Sequence, residues 1–458
     1  MSKREIHLPN KARDLYEAVR ALPIVSPHGH CDPRWWAQND PFSDPAELLI
    51  VPDHYVFRML YSQGVPLDKL GVGVPQEQRD ARTIFRVFAD HWHCFLGTPS
   101  RGWVEHTFYE TLDVDCDLSP ETADRVFDQI SEKLRDPSFL PRSLFESFNI
   151  EVLATTDWAT DALDHHSVIL SSGWSGRVIP TFRPDAVLNP IRRDYAASMA
   201  LLAEQTNSDL TDFDTYLDAL RQRRAFFKIK GATATDHDVP NLMTQWLPRS
   251  EIEHLHQNAR SGTISAVDAE RYYGHMLIEM AQMSAEDGLV MQLHVGSTRN
   301  TNRELFESLG PDKGADIPKA VDFVGGLDGL LNRVGNNPNL QVLVFTLDET
   351  TYARELAPMA GHWPCLKIGP PWWFHDSLNG MRRYFDQVVE SAGYFILTGF
   401  NDDTRAFLSI PARHDTWRRA VALHLADQIE RGVLGQQDAQ MLAQQLCYDL
   451  AVKAYRLS

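Results

Sequence analysis

Eight short apolar runs alternate along the chain with stretches of helical period, and this alternation constrains the fold more than any other feature. The runs are 23–30, 150–157, 177–185, 228–237, 289–296, 340–348, 366–373 and 394–403. Segments between them, such as 265–288 and 376–393, carry apolar residues three and four positions apart, as a helix packed on one face does. Strands that alternate with helices form parallel βα units. Eight such units predict a closed (β/α)8 barrel.

The spacing of the runs predicts one large insertion. Residues 31–149 separate the first two runs, which is far more chain than a βα connection needs. We therefore predict a barrel formed by residues 1–30 and 150–458, with helices at both termini, and a mostly helical insertion over 31–149. An open doubly wound sheet is the alternative architecture. It would need a glycine-rich phosphate loop, and because neither GxGxxG nor GxxxxGK[ST] occurs, we favour the barrel and expect no nucleotide cofactor.

The composition and the N-terminal sequence argue against nucleic-acid and membrane partners and favour the cytoplasm. The chain carries 62 acidic and 44 basic residues, a formal net charge of −18, which argues against nucleic acid or an anionic membrane surface as a partner. The five cysteines are widely spaced without a CxxC pair, a pattern typical of reduced cytosolic thiols. The N-terminus lacks the apolar core of a signal peptide, and no run of 18 apolar residues occurs. We therefore expect a cytoplasmic protein.

The motif His-Gly-His at 28–30 is the sharpest chemical signal. Side chains at positions i and i+2 of a strand point to the same face, so His28 and His30 can bind one metal ion together. Two other triplets with histidines at positions i and i+2 occur, at 91–93 and 254–256. Both triplets lie in segments with a helical or irregular pattern, where positions i and i+2 diverge. Only the pair at the end of the first strand predicts a metal or catalytic role.

Ionisable and aromatic residues follow many of the other runs. In a (β/α)8 barrel, catalytic groups come from the carboxyl ends of the strands. The residues at these ends are Asp157, Arg183, Asp236, His237, His294, Asp348, Trp372, Trp373, Asp402 and Asp403. Asp157, Asp348 and Asp376 are also candidates for helix N-caps. His294 interrupts an otherwise apolar strand. The alternative role is that of a core histidine whose ring nitrogens are hydrogen-bonded inside the protein, but we predict a functional role.

Four arginines indicate an anionic ligand. Arg58, Arg183, Arg299 and Arg405 follow predicted strands or belong to the insertion. An arginine side chain can bind a carboxylate through two parallel hydrogen bonds. Each of them alone could equally form a structural ion pair in an acidic protein. As a set they predict a small anionic substrate.

Taken in order, the motifs resemble those of a known family. They are His28-Gly29-His30, Asp53-His54-Tyr55 with Arg58, Thr155-Thr156-Asp157, Arg183-Pro184-Asp185, Asp236-His237, the segments 291–300 and 309–316, Trp372-Trp373-Phe374, and 401–409 followed by Arg413-His414. This series is similar to that of the uronate isomerases, the glucuronate/galacturonate isomerase branch of the amidohydrolase superfamily. The resemblance runs from about residue 8 to the C-terminus.

The resemblance implies a distorted (β/α)8 barrel that interconverts D-glucuronate and D-fructuronate, or D-galacturonate and D-tagaturonate, through an enediol. It also implies one divalent metal, usually zinc, held by His28, His30 and Asp403, with His294 close by. The partner is then a small sugar acid, and a homo-oligomer is compatible with the sequence.

The reaction itself suggests further roles. Moving a proton between C2 and C1 needs a base beside these carbons and an acid–base group at the oxygens. We expect Asp403 to carry the proton, and His54 and Tyr55 to come from the insertion and donate to the sugar oxygens. His28 could act both as a metal ligand and as an acid–base partner.

The same hypothesis assigns the remaining candidates to substrate binding. Arg183, Arg299 and Arg405 are expected to hold the C6 carboxylate and the hydroxyls. Trp372 and Trp373 are expected to wall the sugar, because aromatic rings suit the C–H faces of carbohydrates. Packing at the barrel rim is the alternative role of the two tryptophans.

Departures from the family pattern concern the substrate preference more than the reaction class. Gly29 stands where the family commonly has cysteine, and Phe182 stands where tryptophan is common, which indicates a divergent subgroup.

Two alternatives to an isomerase are open. One is a metal-dependent hydrolase or decarboxylase on the same barrel, but it would be expected to carry a strand-4 lysine and a strand-6 histidine. Here those strands end in Asp236-His237 and in Asp348. The second alternative is a non-catalytic protein that binds sugar acids, and the retained acid–base residues disfavour it.

Overall fold

The computed structural model describes residues 8–457, and a ring of parallel strands forms its centre. The regular strands are β1 (Ile24–Ser26), β2 (Ile150–Ala154), β3 (Arg177–Ile179), β4 (Ala234–Val239), β5 (Val290–Val295), β6 (Val342–Thr346) and β7 (Leu366–Ile368). After short breaks, β2 resumes as Asp157–Trp158 and β3 resumes as Phe182–Arg183. A short antiparallel pair, Ser297–Thr298 with Ile317–Pro318, lies outside the ring.

The strands follow chain order around the ring. β1 pairs with β2 and β2 with β3, and the resumed strand Phe182–Arg183 pairs with β4. The strands β4 to β7 continue the parallel pairing. At the eighth position a single parallel bridge joins Ile368 to Leu397, and the His30 amide donates to the Thr404 carbonyl at 3.0 Å. The predicted barrel is confirmed, and it is distorted because its eighth strand is reduced to one bridge.

The segment between β1 and β2 is mostly helical, as predicted. Its helices are Arg34–Gln38, Pro45–Leu49, His54–Tyr61, Ala81–Asp90, Pro99–His106, Ala123–Lys133 and Pro141–Ser147, with 3-10 turns at Leu67–Leu70, Gln76–Gln78, Trp92–Phe95 and Pro137–Phe139 and a π turn at Thr107–Thr111. Trp36, Phe57 and Phe85 belong to an apolar core that also contains Ile24 of β1 and Phe407. Because this core takes residues from both ends of the barrel sequence, the segment is packed against the barrel.

The other helices surround the ring. They are Asn10–Val19, Asp164–Ser171, Asp185–Leu188, Tyr195–Thr206, Phe213–Ile229, Arg249–Ser261, Ala266–Asp287, Arg303–Leu309, Phe323–Val334, Ala357–Ala360, Leu378–Ala392, Ile410–Glu430, Gln436–Gln444 and Leu450–Ala454, with 3-10 turns at Trp373–His375, Tyr394–Ile396 and Phe407–Ser409 and π turns at Tyr352–Leu356 and Gln445–Asp449. Among residues 8–457, no helix has the length and the apolar character that crossing a membrane requires.

The interior of the ring is closed at one end and polar at the other. Val25, Val290 and Leu343 are buried with Tyr455 and Leu457 from the C-terminal segment. Strand side chains alternate between faces, so His294, four residues after Val290 on β5, faces the interior one layer further along. The carboxyl ends of the strands, where enzymes of this fold place their sites, therefore hold the polar groups.

Candidate active site

A cavity of about 230 Å³ opens at the carboxyl ends of the strands. Its lining combines strand ends, the loop after β5 and the segment between β1 and β2. The lining residues are His30, Asp53, His54, Tyr55, Trp158, Arg183, Arg192, Asp238, Arg299, Asn300, Pro311, Asp312, Gly314, Asp316, Trp372, Trp373, Asp403, Thr404 and Arg405.

His30 and Asp403 line this cavity, and the buried His28 meets them beneath it. The Asp403 Oδ1 atom lies 3.4 Å from His28 Nε2 and 3.0 Å from His30 Nε2. His28 is buried, and the sequence-distant Asp403 reaches it because the eighth strand position lies beside the first. The structure thus brings together three of the four residues that the family resemblance implies for the metal site, and the fourth, His294, stacks on His28.

The donor set fits a metal ion. The two contacts of Asp403 Oδ1 are not aligned as hydrogen bonds, and this buried oxygen has no hydrogen-bond partner among the described residues. Imidazole nitrogens and a carboxylate oxygen are the ligands that zinc prefers with bonds of about 2.0–2.1 Å, so tetrahedral ligands lie about 3.3 Å apart. The observed separations of 3.0 and 3.4 Å match that spacing. The three side chains could therefore hold one metal ion.

The charges of this group are strongly coupled. Burial alone would raise the pKa of Asp403, but the two histidines outweigh burial and hold this pKa well below its usual range. Burial lowers the pKa of His30. At His28 burial is outweighed by Asp403 and Asp236, so the pKa of His28 is raised. The Asp403 carboxylate is thus ionised at neutral pH, as a ligand or a base must be.

Behind His28 lies a second polar cluster around Asp236. His294 Nδ1 lies 2.7 Å from Asp236 Oδ1, and the ring of His294 stacks on that of His28 with centroids 4.5 Å apart. Arg183 Nη1 lies 3.4 Å from Asp236 Oδ2, and Arg183 Nε donates to Asp185 Oδ2 at 2.9 Å. His28, Asp236 and His294 could also hold an ion. Both oxygens of Asp236 already face partners, and His294 lies beside the group that contains Asp403.

The two other predicted arginines that line the cavity are each held by aspartates. Arg299 contacts Asp316 at 2.9 Å and Asp238 at 3.1 Å. Arg405 contacts Asp312 at 3.0 Å. Their side chains are fixed before any ligand arrives, so a bound carboxylate would meet a prearranged surface.

Comparison with known proteins relates this site to one family. The sequence profile of glucuronate isomerase matches residues 2–455. The chain belongs to the glucuronate isomerase family. A uronate isomerase of Rhizorhabdus wittichii is 54% identical over 446 residues, which cover 97% of this chain and 95% of the relative. The crystal structure of glucuronate isomerase from Caulobacter crescentus gives a TM-score of 0.97 at 47% identity, over 99% of this chain and 97% of that chain. Uronate isomerase from Thermotoga maritima gives 0.92 at 26% identity, over 98% of each chain.

Family membership confirms the predicted enzyme class. Glucuronate and uronate isomerases are aldose–ketose isomerases, so the function of this chain is the isomerisation of a uronate and its substrate is a sugar acid. The hydrolase and the non-catalytic binding protein considered from the sequence are not supported.

In this member of the family, the helix His54–Tyr61 brings His54 and Tyr55 to the cavity. Asp53 fixes the start of the helix, because its carboxylate accepts from the Tyr55 amide at 2.8 Å. Burial, supported by the charge of Arg405, lowers the pKa of His54 to about 3, and burial raises the pKa of Tyr55. At neutral pH both side chains are therefore uncharged, and each can donate a hydrogen bond.

The two predicted tryptophans line the cavity, whereas Arg58 does not. The ring of Trp372 meets His294 edge-on with centroids 4.8 Å apart, and Trp373 meets His54 in the same way at 5.5 Å. The Arg58 guanidinium lies over the Phe374 ring, 5.1 Å from its centroid, so it packs behind the cavity wall.

Sequence reasoning missed several residues of the site. Trp158 lies at the rim between two guanidinium groups, with Arg183 at 5.2 Å and Arg192 at 5.0 Å from its ring centroid. Nothing in the local pattern of Arg192 signals this position. Asp238 could have been found, because it stands two residues after Asp236 on β4 and so shares its face.

The expectation that Asp157, Asp348 and Asp376 cap helices is wrong, since other residues occupy the cap positions. Asp376 is buried instead and accepts from Arg413 Nη1 at 2.7 Å. Burial, opposed by Arg413, raises the pKa of Asp376 to about 7. The sequence pattern identified these aspartates as candidates, but the geometry of the loops determines which groups they contact.

Proposed function

We propose that the site interconverts D-glucuronate with D-fructuronate and D-galacturonate with D-tagaturonate, and that Asp403 carries the transferred proton. One observation carries the proposal: the ionised Asp403 carboxylate lies against two histidines in a cavity whose walls present arginines and uncharged donors. A base, groups for the oxygens and cations for the C6 carboxylate are the three requirements of this reaction.

The balance of charge in the cavity supports both a metal and an anionic substrate. Five aspartates among the described lining residues face four arginines: Asp53, Asp238, Asp312, Asp316 and Asp403 against Arg183, Arg192, Arg299 and Arg405. A divalent cation would make the lining net positive, and opposite charges attract strongly where water is excluded. We therefore expect the metal to be needed for tight binding of a uronate.

We assign His28, His30 and Asp403 as the ligands of one divalent metal, for which zinc is our proposal. Two imidazole nitrogens and one carboxylate oxygen leave a coordination position open, as catalytic zinc sites do. When bound, the metal would polarise the substrate oxygen that gains negative charge. His294, held by Asp236 through Nδ1, would keep the ring of His28 in place by stacking.

The protein residues account for the proton movements. Asp403 removes the proton from C2 of the aldose and returns it to C1, while the proton on O2 passes to O1. The C1 carbonyl thereby becomes a hydroxyl and the C2 hydroxyl becomes a carbonyl, with no net gain or loss of atoms or electrons. We propose that His54 and Tyr55, contributed by the insertion over 31–149, assist the transfer between the two oxygens, because both are neutral donors that line the cavity.

The chain's cysteines support a cytoplasmic location, which we also propose. Cys31, Cys365 and Cys447 are buried and free, and Cys94 and Cys116 are free and partly exposed. Free thiols persist most readily in a reducing compartment.

Turnover of the two uronates tests the substrate proposal directly. We expect the purified chain to form ketose from D-glucuronate and from D-galacturonate, and treatment with a chelator to lower the rate at least tenfold, with recovery on adding zinc. D-glucose, which lacks the C6 carboxylate, is the control and should not react, since the arginines would have no partner. Failure to convert either uronate at full metal occupancy would reject the substrates, and turnover unchanged after metal removal would reject the metal.

Isotope labelling tests the proton transfer. When the isomerisation is run in D2O, we expect deuterium at C1 of the ketose, because a proton held on a carboxylate can exchange with solvent before it returns to carbon. Mass spectrometry and proton NMR of the product measure the incorporation. Product without any label would favour a hydride shift or a fully shielded transfer and would remove support for Asp403 as an exchanging base.

A further inference from the structure

Asp403 adopts a left-handed backbone conformation, which is uncommon outside glycine. Its φ is +39°, in the left-handed region that residues other than glycine, asparagine and aspartate rarely enter. Such conformations persist where the surrounding structure fixes them, and they concentrate at active sites. The contacts of the residues that flank Asp403 should therefore matter for the direction in which its carboxylate points.

Two consecutive residues of the helix Ile410–Glu430 hold the flanking Asp402. Arg413 Nη1 donates to the carbonyl oxygen of Asp402 at 3.2 Å, and His414 Nε2 lies 3.1 Å from the Asp402 Oδ2 atom. Asp402, Arg413 and His414 are all buried. Both the backbone and the side chain of the residue before Asp403 are thus fixed from one helix.

Arg413 also reaches the other side of Asp403. Its Nε atom donates to Ser409 Oγ at 3.1 Å, and Ser409 Oγ lies 3.2 Å from Thr404 Oγ1. The Thr404 carbonyl in turn accepts from the amide of His30, a predicted metal ligand. One guanidinium group therefore connects both neighbours of Asp403.

The same guanidinium supports the residues contributed by the insertion. It lies over the Trp103 ring at 3.6 Å and the Tyr55 ring at 5.2 Å from their centroids. Asp376, from the loop after β7, accepts from Arg413 Nη1 at 2.7 Å. Arg413 thus stands where the last strand position, the loop after β7 and the insertion meet.

We propose that Arg413 and His414 are positioning residues for the isomerisation: they clamp Asp402 so that Asp403 keeps its left-handed conformation, and Arg413 at the same time seats Tyr55. The inference rests on the role proposed above for Asp403. Neither residue lines the cavity, so each acts through its neighbours. Groups that orient metal ligands in this way typically change metal affinity or activity about 10- to 100-fold when they are replaced.

A purely structural role is the competing explanation, and the chain offers a matched control for it. Arg224 is as deeply buried as Arg413 and makes a comparable set of bonds, to Asp287 at 2.6 Å and to Ser284 at 3.0 Å. It joins two outer helices, Phe213–Ile229 and Ala266–Asp287. Lysine keeps the charge at either position but cannot reproduce the planar fork of donors.

The test compares Arg413→Lys with Arg224→Lys. We expect the melting temperatures of both variants to fall by similar amounts. Only Arg413→Lys should lower kcat about 100-fold, with KM changed less than threefold. Only this variant should also lose its zinc at a chelator concentration about tenfold lower than the wild type requires. His414→Asn, which removes the Nε2 contact to Asp402 but leaves the Arg413 bonds, should show the same pattern more weakly. It also serves as the second variant if Arg413→Lys does not fold.

The two readouts separate this inference from the proposed function. An inactive wild type would reject the proposed substrates, while chelator competition would still report whether the clamp holds Asp403. If Arg413→Lys and His414→Asn keep wild-type kcat and zinc retention, or if Arg224→Lys loses both to the same extent, the clamp has no specific effect on Asp403 and the inference is overturned.

Discussion

Asp403→Asn is expected to lower kcat about 1,000-fold or more, because the variant loses both the base and an anionic ligand, and general base catalysis alone contributes about 100- to 10,000-fold. The amide has the shape of the carboxylate but cannot accept a proton from carbon at neutral pH. Asparagine also tolerates the left-handed backbone better than most residues, so the φ of +39° adds no new strain. The measurement is kcat for D-glucuronate with zinc in excess, together with the far-UV circular dichroism spectrum and the melting temperature.

Asp348→Asn provides the matched control for this variant. Asp348 also follows a barrel strand, but its carboxylate accepts from the Thr350 amide at 3.1 Å and lies outside the cavity lining. We expect its kcat to stay within a few-fold of the wild-type value. A folded Asp403→Asn variant with near-normal turnover would show that another group carries the proton.

Much of this site could be predicted because the closed ring places its last strand position, near Asp403, beside its first, near His28 and His30. The strand alternation that predicted a shared face for the two histidines does not extend to them, because β1 ends at Ser26. The chain just beyond β1 brings their rings together, with centroids 5.3 Å apart. The barrel itself followed from eight alternating units, and the distortion at the eighth strand did not change which residues meet.

The residues that were missed or misassigned depend on loops and on long side chains. The sequence does not indicate where the side chain of Arg58 or of Arg192 points. In the structure the Arg58 side chain packs on Phe374, whereas the Arg192 side chain reaches the cavity rim next to Trp158. An arginine has several rotatable bonds, so a change in the path of its loop redirects the guanidinium by many ångströms. Asp376 shows the same limit, because its pairing with Arg413 joins elements that only the folded chain brings together.

Arg183→Met is expected to destabilise the fold by about 3–5 kcal/mol, the usual cost of breaking a buried ion pair from one side. Methionine keeps the apolar stem of the side chain but leaves the carboxylates of Asp185 and Asp236 without their cation. Both carboxylates are buried, so water cannot replace the lost charge. The measurement is the free energy of unfolding from urea titration of the metal-free protein, with the substrate absent.

The pH dependence of this destabilisation distinguishes a charge effect from lost packing. Burial raises the pKa of Asp185 to about 6 even though Arg183 opposes the shift, so removing Arg183 raises this pKa further. A carboxyl group with a raised pKa in the folded state binds protons that the unfolded chain releases, and stability therefore falls as the pH rises from about 4 through the folded pKa. We expect the loss of unfolding free energy in the variant, relative to wild type, to be larger at about pH 8 than at about pH 5.5.

The control is Arg249→Met. The Arg249 guanidinium contacts Asp214 at 2.6 Å and Glu253 at 2.5 Å on the surface. Exposed pairs contribute about 0–1 kcal/mol, so the loss of stability in this variant should be small at both pH values. An equal deficit at both pH values for Arg183→Met would indicate that packing, and not the uncompensated carboxylates, accounts for the loss.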